Sequence, residues 1–430
     1  MTVPLRTLFA EAFKIGCLGF GGPAGQIALM HRVFVDERKW IDEARFQHML
    51  AFCMLLPGPE AQQLATYVGW RLRGWAGALI AGWLFVIPGA LIVLALSLLY
   101  VSYGEVPLVA AAFDGVKCAV VALVAEALFK VGKRALKTNA ALWIAIAAFA
   151  ALILGAPFPL VILAAAVVGM IFPSPLVGEG RVGGAGALVT GNGANTPTPV
   201  PSPQGGGAQA MLWLALWLTP PLLIALTLGT EHVLFQLALL FSILACVTFG
   251  GAYAVLAYLT VEVAARGWLT PAQMIDGLGL AETTPGPLIL VNQFVGFLAG
   301  WSEGGAVLAI AGAGIALWCT FAPSFVWIFA GAPHAERLQQ NPRAAGALAA
   351  ITAAVLGVIA KLALFFAAHA LFARQFDLGP TQLPDPTSAI WWMLALALAA
   401  GVALIRFKAN LLLVLAACAL AGLAAHAWGL

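Results

Sequence analysis

Charged side chains are scarce in this sequence of 430 residues. Asp, Glu, Lys and Arg make up 9% of the chain, whereas hydrophobic residues make up 62%. Soluble domains carry roughly 25% charged residues, so this composition excludes a cytosolic enzyme, a nucleic-acid-binding protein and a disordered scaffold. The formal net charge of +3 is also too small to indicate a polyanionic partner. We therefore predict an all-α, polytopic helical membrane protein whose outer surface contacts lipid.

Clustered cysteines and common catalytic motifs are also missing. Each of the six cysteines stands alone in an apolar stretch, and the sequence contains no CxxC pair or Cys/His cluster. We therefore expect no metal site, no disulfide framework and no cofactor. The sequence also lacks HExxH, GxSxG and the phosphate-binding GxxxxGK[ST] motif, so we expect neither an enzyme nor ATP hydrolysis by this chain.

What is present is a series of apolar stretches, interrupted once by a polar segment. A helix needs about 20 apolar residues to cross a bilayer, and the stretches predict ten to twelve spans. Residues 174–210 are rich in Gly, Pro, Ser and Thr, a composition typical of a flexible linker. We predict a first repeat at 1–173, a linker at 174–210 and a second repeat at 211–430, with an extra apolar segment at 211–228.

The two halves share short motifs in the same order. The first half contains FGGP at Phe20–Pro23, LPGP at Leu56–Pro59 and a segment ending at Gly69. The second half contains FGGA at Phe249–Ala252, TPGP at Thr284–Pro287 and a segment ending at Gly296. Each motif recurs about 228 residues later, which indicates an internal duplication.

The basic residues favour opposite orientations for the two halves. Lys and Arg accumulate in cytoplasmic loops, and transporters are commonly built from inverted repeats. The loop after FGGP carries Arg32, Arg38, Lys39 and Arg45, whereas its counterpart carries only Arg266. Conversely, the 101–106 loop has no basic residue, whereas its counterpart carries Arg337 and Arg343. We therefore predict inverted repeats with broken or re-entrant helices.

Each Pro-Gly-Pro sequence predicts a break in a helix at membrane depth. Proline removes a backbone donor, and glycine permits unusual backbone angles. A broken helix in a membrane is tolerated where protein or a water-filled cavity satisfies its backbone groups. The helix that follows the turn presents its N–H groups and positive dipole end, which suits an anion. We predict an anion site there, and the alternative is a kink that serves only packing. The predicted site residues in the turns are Pro57, Gly58, Pro59, Thr284, Pro285, Gly286 and Pro287.

Amide and glycine residues near these turns extend the predicted site. Amides donate hydrogen bonds without adding a fixed charge, so they could hold an oxyanion and still release it. The amide candidates are Gln26, Gln62, Gln63, Asn292 and Gln293, and the glycine candidates are Gly21, Gly22, Gly250 and Gly251. Helix packing by amides and small residues is the alternative for both groups.

Ionisable residues inside spans are candidates for function. Glu60 and Glu282 flank the Pro-Gly-Pro turns, and a negative charge there repels an oxyanion unless the carboxyl group is protonated. We predict that they couple transport to protons. Lys117 is a further candidate for anion binding. Its alternative is a simple pair with Asp114, which lies three residues earlier on the same helix face.

The paired FGG and PGP motifs of both halves resemble those of the chromate ion transporter family, in its long two-domain form. The resemblance covers nearly the whole chain except the linker. It implies a secondary transporter in the bacterial inner membrane that exports chromate and confers chromate resistance. A transporter or channel for sulfate or another anion is the alternative, and homo-oligomerisation is left open.

Overall fold

The computed structural model describes residues 3–172, 206–249, 251–378 and 381–429. The first half contains α1 (Leu5–Leu18), α2 (Gly22–His31), a π-helical turn (Arg32–Glu37), α3 (Glu43–Cys53), α4 (Glu60–Leu84), α5 (Ile87–Tyr103), α6 (Pro107–Ala135), α7 (Asn139–Ile153) and α8 (Phe158–Ile171). The second half contains α9 (Gly206–Thr227), α10 (Val233–Val247), α11 (Ala252–Ala265), α12 (Pro271–Thr283), a 3₁₀ turn (Leu288–Leu290), α13 (Val291–Gly331), α14 (Ala335–Gln339), α15 (Pro342–Leu371), α16 (Trp391–Ile405) and α17 (Leu411–Ala427).

Strands occur in the described chain only between α15 and α16. Strands β1 (Gln375–Leu378) and β2 (Thr381–Pro384) form an antiparallel pair in which Phe376 lies opposite Leu383. Two further 3₁₀ turns, at Ala332–His334 and Pro386–Ser388, lie next to α14 and β2. The remainder of the regular structure is helical.

Five helical stretches of the described chain are long and apolar enough to cross a membrane: Glu60–Tyr103, Pro107–Ala135, Gly207–Thr227, Leu288–His334 and Pro342–Leu371. Six shorter apolar helices, among them α7, α8, α10 and α11, accompany them. These helices confirm the predicted polytopic helical membrane fold. Most of the predicted linker lies outside the described residues, but its last five residues already belong to α9, which begins at Gly206.

Two of the long helices fold back on themselves at a glycine. In α4 the backbone leaves helical geometry at Arg73 and Gly74, and Gly74 has a φ of 61°. In α13 the same break occurs at Gly304 and Gly305, and Gly305 has a φ of 70°. A positive φ favours glycine because it has no Cβ. Each half therefore contains the same helical hairpin.

Close glycine contacts hold the two legs of each hairpin together. A Cβ added to Gly69 would lie 2.2 Å from the carbonyl oxygen of Gly77, eight residues later. A Cβ added to Gly300 would lie 2.1 Å from the carbonyl oxygen of Leu308. Such residues would be about 12 Å apart along a straight helix, since the rise is 1.5 Å per residue. Small residues thus allow the backbones of the two legs to touch.

The hairpins correct the alignment of the repeats beyond the turns. Gly286 lies 228 residues after Gly58, but Gly305 lies 231 residues after Gly74. The three extra residues form the 3₁₀ turn at Leu288–Leu290. The equivalence of Gly69 with Gly296 is therefore wrong by about one helical turn, because the structure pairs Gly69 with Gly300. The same shift pairs Gln62 with Gln293.

The long central helices also pack through small residues. A Cβ on Gly115 of α6 would lie 1.9 Å from the carbonyl oxygen of Cys418 in α17. In return, a Cβ on Gly422 would lie 2.1 Å from the carbonyl oxygen of Ala111. Lipid tails are as apolar as the helices, so such close backbone packing is a main source of helix association in membranes.

The predicted inversion of the repeats has a direct test. Arg38 follows the π-helical turn, and Arg266 follows α11 at the equivalent place in the second half. In a background in which the exposed Cys246 and the half-buried Cys17 are serine, we expect Arg38→Cys and Arg266→Cys to react with a membrane-impermeant thiol reagent from opposite sides. Reaction of both from one side would contradict inversion.

Candidate functional site

Each Pro-Gly-Pro turn is hydrogen bonded to the other half of the chain. The N–H of Gly58 donates to the carbonyl oxygen of Thr248 at 2.9 Å, and the N–H of Gly286 donates to that of Gly19 at 3.0 Å. Thr248 and Gly19 both directly precede an FGG motif. The central glycines have φ values of 105° for Gly58 and 98° for Gly286, which strain any residue with a Cβ. The two halves are therefore interlocked symmetrically at their turns.

A second pair of crossed contacts comes from two residues that the sequence analysis did not single out. Gly89, at the start of α5, lies against the second turn, because a Cβ there would be 2.1 Å from the carbonyl oxygen of Pro285. Ser324 of α13 lies at the first turn, with its Oγ 3.8 Å from the Cβ position of Gly58. A signal was available in the sequence. Both residues directly follow a proline that lies five residues after a tryptophan.

A small pocket lies between the two turns. Its wall comprises Pro23 and Gln26, Gly58–Ala61, Thr248 and Ala252, and Pro287–Ile289. Residues of both halves thus line one cavity. Of the predicted site residues, the pocket includes Gln26, Gly58, Pro59, Glu60 and Pro287.

Four helix starts converge on this pocket. They are the first turns of α2, α4 and α11, and the 3₁₀ turn that leads into α13. None of the four has a side-chain cap, which is also true of α1, α5, α6, α8 and α16, whereas Asp42 caps α3, Thr270 caps α12 and Asn341 caps α15. The first N–H groups of a helix have no partner within it, and the dipole adds partial positive charge. The partial positive charge of these helix starts therefore lies at the pocket, together with the carboxyl group of Glu60.

The pocket is narrow. Its accessible volume of about 20 Å³ has room for a water molecule and not for a tetrahedral oxyanion. An anion can enter only if the elements around the pocket separate. The pocket is therefore closed to an oxyanion in this structure.

The glycines of the FGG motifs shape two of these helix starts. Gly21 has a φ of 85° and Gly22 a φ of 67°, directly before and at the start of α2. Gly251 has a φ of 102° and precedes α11, whereas Gly250 lies outside the described residues. The positive φ values at these positions explain the need for glycine.

Three of the predicted amides donate hydrogen bonds to backbone carbonyl oxygens. Gln26 Nε2 donates to the carbonyl oxygens of Gly286 at 2.6 Å and Gly19 at 3.2 Å. Gln63 Nε2 donates to the carbonyl oxygen of Pro57 at 2.6 Å, and Gln293 Nε2 donates to the carbonyl oxygen of Ala90 at 3.0 Å. These amides fix the turns and the start of α5. They position the site, and only Gln26 reaches the pocket wall.

The other two amides differ from each other. Asn292 Nδ2 donates to the hydroxyl oxygen of Thr320 at 3.0 Å. Gln62 is fully buried, and neither its Nε2 nor its Oε1 has a hydrogen-bond partner in the described part of the chain. An unpaired buried amide is costly, so Gln62 is a group that a polar ligand or a water molecule can satisfy.

The two predicted carboxylates occupy different surroundings. Glu60 is the first residue of α4 and lines the pocket. Glu282, near the end of α12, is buried and accepts a hydrogen bond of 2.9 Å from the hydroxyl of Tyr253. Of these two residues, only Glu60 lines the pocket.

The structure does not bring Lys117 to the pocket. Its ammonium contacts Asp114 at 2.8 Å and lies 4.0 Å from Asp276, on the α6–α12 side of the protein. The pairing with Asp114 that the spacing allowed is therefore present. Two carboxylates neutralise this cation and leave no net positive charge for an oxyanion.

The role of Gln26 as a cross-link leads to a stability prediction. Gln26→Leu should leave the buried carbonyl oxygen of Gly286 without its donor, at a cost of about 1–3 kcal/mol in the free energy of unfolding. Gln47→Leu is the matched control, because Gln47 bonds Glu43 in an exposed position and should change stability by less than about 0.5 kcal/mol. Denaturation in mixed micelles measures both. Equal stability of the two variants would contradict the cross-link.

Comparisons with known proteins agree on one family. The family model described as chromate transporter matches residues 6–170 and again residues 235–423. The chain is 33% identical to the chromate transport protein of Pseudomonas aeruginosa over 356 residues, which cover 82% of this chain and 78% of that protein. It is 31% identical to the probable chromate transport protein of Synechococcus elongatus over 359 residues, 83% of each chain.

A third relative, the chromate transport protein of Cupriavidus metallidurans, is 28% identical over 363 residues, which cover 83% of this chain and 81% of that protein. No solved structure matches the fold significantly. The two matched regions contain the FGG and PGP motifs of both halves and leave out the predicted linker and all of α9. On this evidence the chain belongs to the chromate transporter family.

Proposed function

We propose that this protein is a secondary transporter that exports chromate across the bacterial inner membrane and thereby confers chromate resistance. The family and the names of its relatives support chromate as the substrate. The observation that carries the proposal is the convergence of four uncapped helix starts, two from each half, on one pocket. Carriage across a membrane, rather than a chemical reaction, fits a site built from backbone N–H groups.

Backbone N–H groups suit a transported oxyanion better than fixed positive charges do. They stabilise negative charge through hydrogen bonds and the helix dipole, and they add no full charge that would retain the ion. Glu60, Ala61, Ala252 and Leu288 stand at or next to the starts of their helices and line the pocket, so we infer that their N–H groups bind the anion. Transporters of other folds bind anionic groups at the ends of broken helices in the same way.

In the transport cycle that we propose, the pocket opens alternately to the two sides of the membrane. The closed pocket cannot hold chromate, so the turns must separate before the ion binds. With inverted repeats, a rocking movement of one half against the other opens the shared site first to one side and then to the other. Such a movement would break and re-form the hydrogen bonds that Gly58 and Gly286 make to the opposite half.

Glu60 and Glu282 stay the proton-coupling candidates at the turns. An ionised Glu60 repels chromate in the pocket, so we propose that it is protonated when chromate is bound. Glu282 lies behind the pocket with Tyr253, where a charge change acts on the second turn through α12. The Glu60→Gln variant described below tests the first of these roles.

Sulfate is the competing substrate because it has the shape and charge of chromate. A channel would need a continuous opening, and the narrow pocket favours a transporter. The test is uptake of labelled chromate by inverted membrane vesicles, with and without excess sulfate. We expect uptake that chromate saturates and that sulfate inhibits only weakly. Vesicles containing this protein that take up no more chromate than empty-vector vesicles would refute the function.

A further inference from the structure

A cluster of ionisable side chains lies between α5, α6 and α12, apart from the pocket. Asp276 of α12 accepts a hydrogen bond of 2.9 Å at its Oδ2 from the hydroxyl of Tyr100. Its Oδ1 has no hydrogen-bond partner among the described residues and lies 4.0 Å from the Lys117 Nζ. Lys117 in turn contacts Asp114 at 2.8 Å. We call Asp114, Lys117 and Asp276 the triad.

The charges of the triad do not balance. Two carboxylates face one ammonium group, so the fully ionised triad carries a net charge of −1, and one added proton makes it neutral. Tyr100 from α5 and Lys117 and Asp114 from α6 are the titratable groups that act on Asp276 in the described chain. An uncompensated charge in a membrane protein is costly, which makes proton uptake favourable there.

The geometry excludes the other ligands that a buried carboxylate could take. An oxyanion would meet two carboxylates, and the Lys117 ammonium occupies the place that a metal cation would need. The Oδ1 of Asp276 has only the Lys117 ammonium nearby, at 4.0 Å, so a proton is the ligand that fits it. The side chain of Asp276 is only 7% exposed, so this oxygen gains no hydrogen bonds from bulk water.

Exposure increases stepwise along the triad. Side-chain exposure rises from 7% at Asp276 to 16% at Lys117 and 44% at Asp114. The triad therefore extends from the buried face of α12 to the outer face of α6. Such a series of polar groups is typical of the proton relays of pumps and transporters.

The triad is connected mechanically to the second turn. Asp276 lies on α12, which runs directly into Thr284 and Pro285. Tyr100 lies on α5, whose first residues hold the same turn through Gly89 and the bond from Gln293 to Ala90. A change in the contact between Asp276 and its partners therefore acts on both elements that fix the turn.

We propose that Asp276 binds and releases the proton that drives transport, with Lys117 and Asp114 as its relay. This inference rests on the proposed secondary transport of chromate. Asp276 takes up a proton at Oδ1 from one side of the membrane and gives it up to the other, and no other bond forms or breaks. When Asp276 is ionised, Lys117 is drawn towards it; when Asp276 is protonated, Lys117 pairs with Asp114 alone. Glu60 and Glu282 have separate roles, because Glu60 acts on anion affinity within the pocket and Glu282 acts on the second turn from its contact with Tyr253.

The test uses the full chain in liposomes and the variant Asp276→Asn. Two quantities are measured: exchange of labelled chromate without any gradient, and accumulation of chromate driven by a pH gradient. We expect exchange within about twofold of the wild type and a loss of accumulation of at least tenfold. Asp377→Asn, in exposed strand β1, is the matched control and should leave both unchanged. Tyr100→Phe should shift the pH profile of accumulation while exchange persists.

Several outcomes would overturn the proposal. They are accumulation by Asp276→Asn at the wild-type level, loss of exchange in the folded variant, or exchange without pH-driven accumulation in the wild type. If Asp276→Asn does not fold, unchanged pH profiles in Tyr100→Phe and Lys117→Gln count equally against it. If the wild type carries no chromate, the proposed function fails, and infrared spectroscopy decides the triad separately. A protonated-carboxyl band that titrates in the wild type should be missing in Asp276→Asn, and its persistence would refute the assignment.

Discussion

Replacing the central glycine of either turn with alanine should reduce chromate transport at least tenfold. Gly58 and Gly286 have φ values near +100°, where a Cβ strains the backbone by roughly 1–2 kcal/mol or more. The new Cβ would also lie 3.1 Å from Gln63 Nε2 at the first turn and 3.1 Å from Leu290 Cδ1 at the second. Both changes displace the helix starts from the pocket. Initial rates of uptake in liposomes, corrected for protein amount, measure the effect.

Gly74→Ala is the control for backbone strain alone. Gly74 has a φ of 61° at the bend of the α4 hairpin, and a Cβ there would meet no atom within 4 Å. We expect a loss of stability similar to that of Gly58→Ala but transport within about threefold of the wild type. Comparable transport by Gly58→Ala and Gly74→Ala would show that the turn has no special role.

Glu60→Gln should strengthen chromate binding at alkaline pH and remove most of its pH dependence. Repulsion from a carboxylate about 5 Å from a bound anion weakens the free energy of binding by roughly 3 kcal/mol per unit charge of the anion, at an effective dielectric constant of about 20. In the wild type this repulsion is absent at low pH, when Glu60 is protonated, and increases as the pH rises and Glu60 ionises. We therefore expect the variant to bind at least tenfold more tightly at the alkaline end of a titration. Binding to the purified protein, followed from acidic to alkaline pH, measures this.

The matched control for Glu60 is Glu105→Gln. Glu105 is exposed in the loop between α5 and α6, and its charge is remote from the pocket. Its replacement should leave the affinity and its pH dependence unchanged. A Glu60→Gln variant whose affinity still falls with rising pH as in the wild type would remove Glu60 from the site.

The sequence alone predicted the local features of the site. Proline and glycine act on the backbone where they stand, so the turns at Gly58 and Gly286 and the helices that start beyond them followed from the motifs. The recurrence of both motifs also indicated that one site contains two of them. Backbone chemistry of this kind depends little on distant parts of the chain.

The contacts between the halves could not be predicted. The bonds from Gly58 to Thr248 and from Gln26 to Gly286 join residues that are far apart in the sequence. Periodicity reports which face of a helix is apolar, but it does not report which distant backbone meets that face. The repeats could have packed side by side, each with its own FGG motif on its own turn. Instead, each half supplies the partner of the other half's turn.

The sequence predicted the roles of individual polar side chains less well than it predicted the turns. The amides were treated as a group, yet Gln63 and Gln293 bond backbone whereas Gln62 has no partner in the described chain. Lys117 was considered for the anion, but the sequence could not show that Asp276 lies beside it from another helix. The direction of a side chain depends on tertiary packing, which spacing along one helix does not determine.

The position of bound chromium tests the central claim most directly. Chromium scatters anomalously, so its position can be located in crystals of the protein soaked or grown with chromate. We predict one chromium peak between the two turns, within hydrogen-bonding reach of the helix starts at Glu60, Ala252 and Leu288, and a pocket wider than in the closed state. A peak beside Lys117 at the triad, with the pocket between the turns empty, would contradict the account.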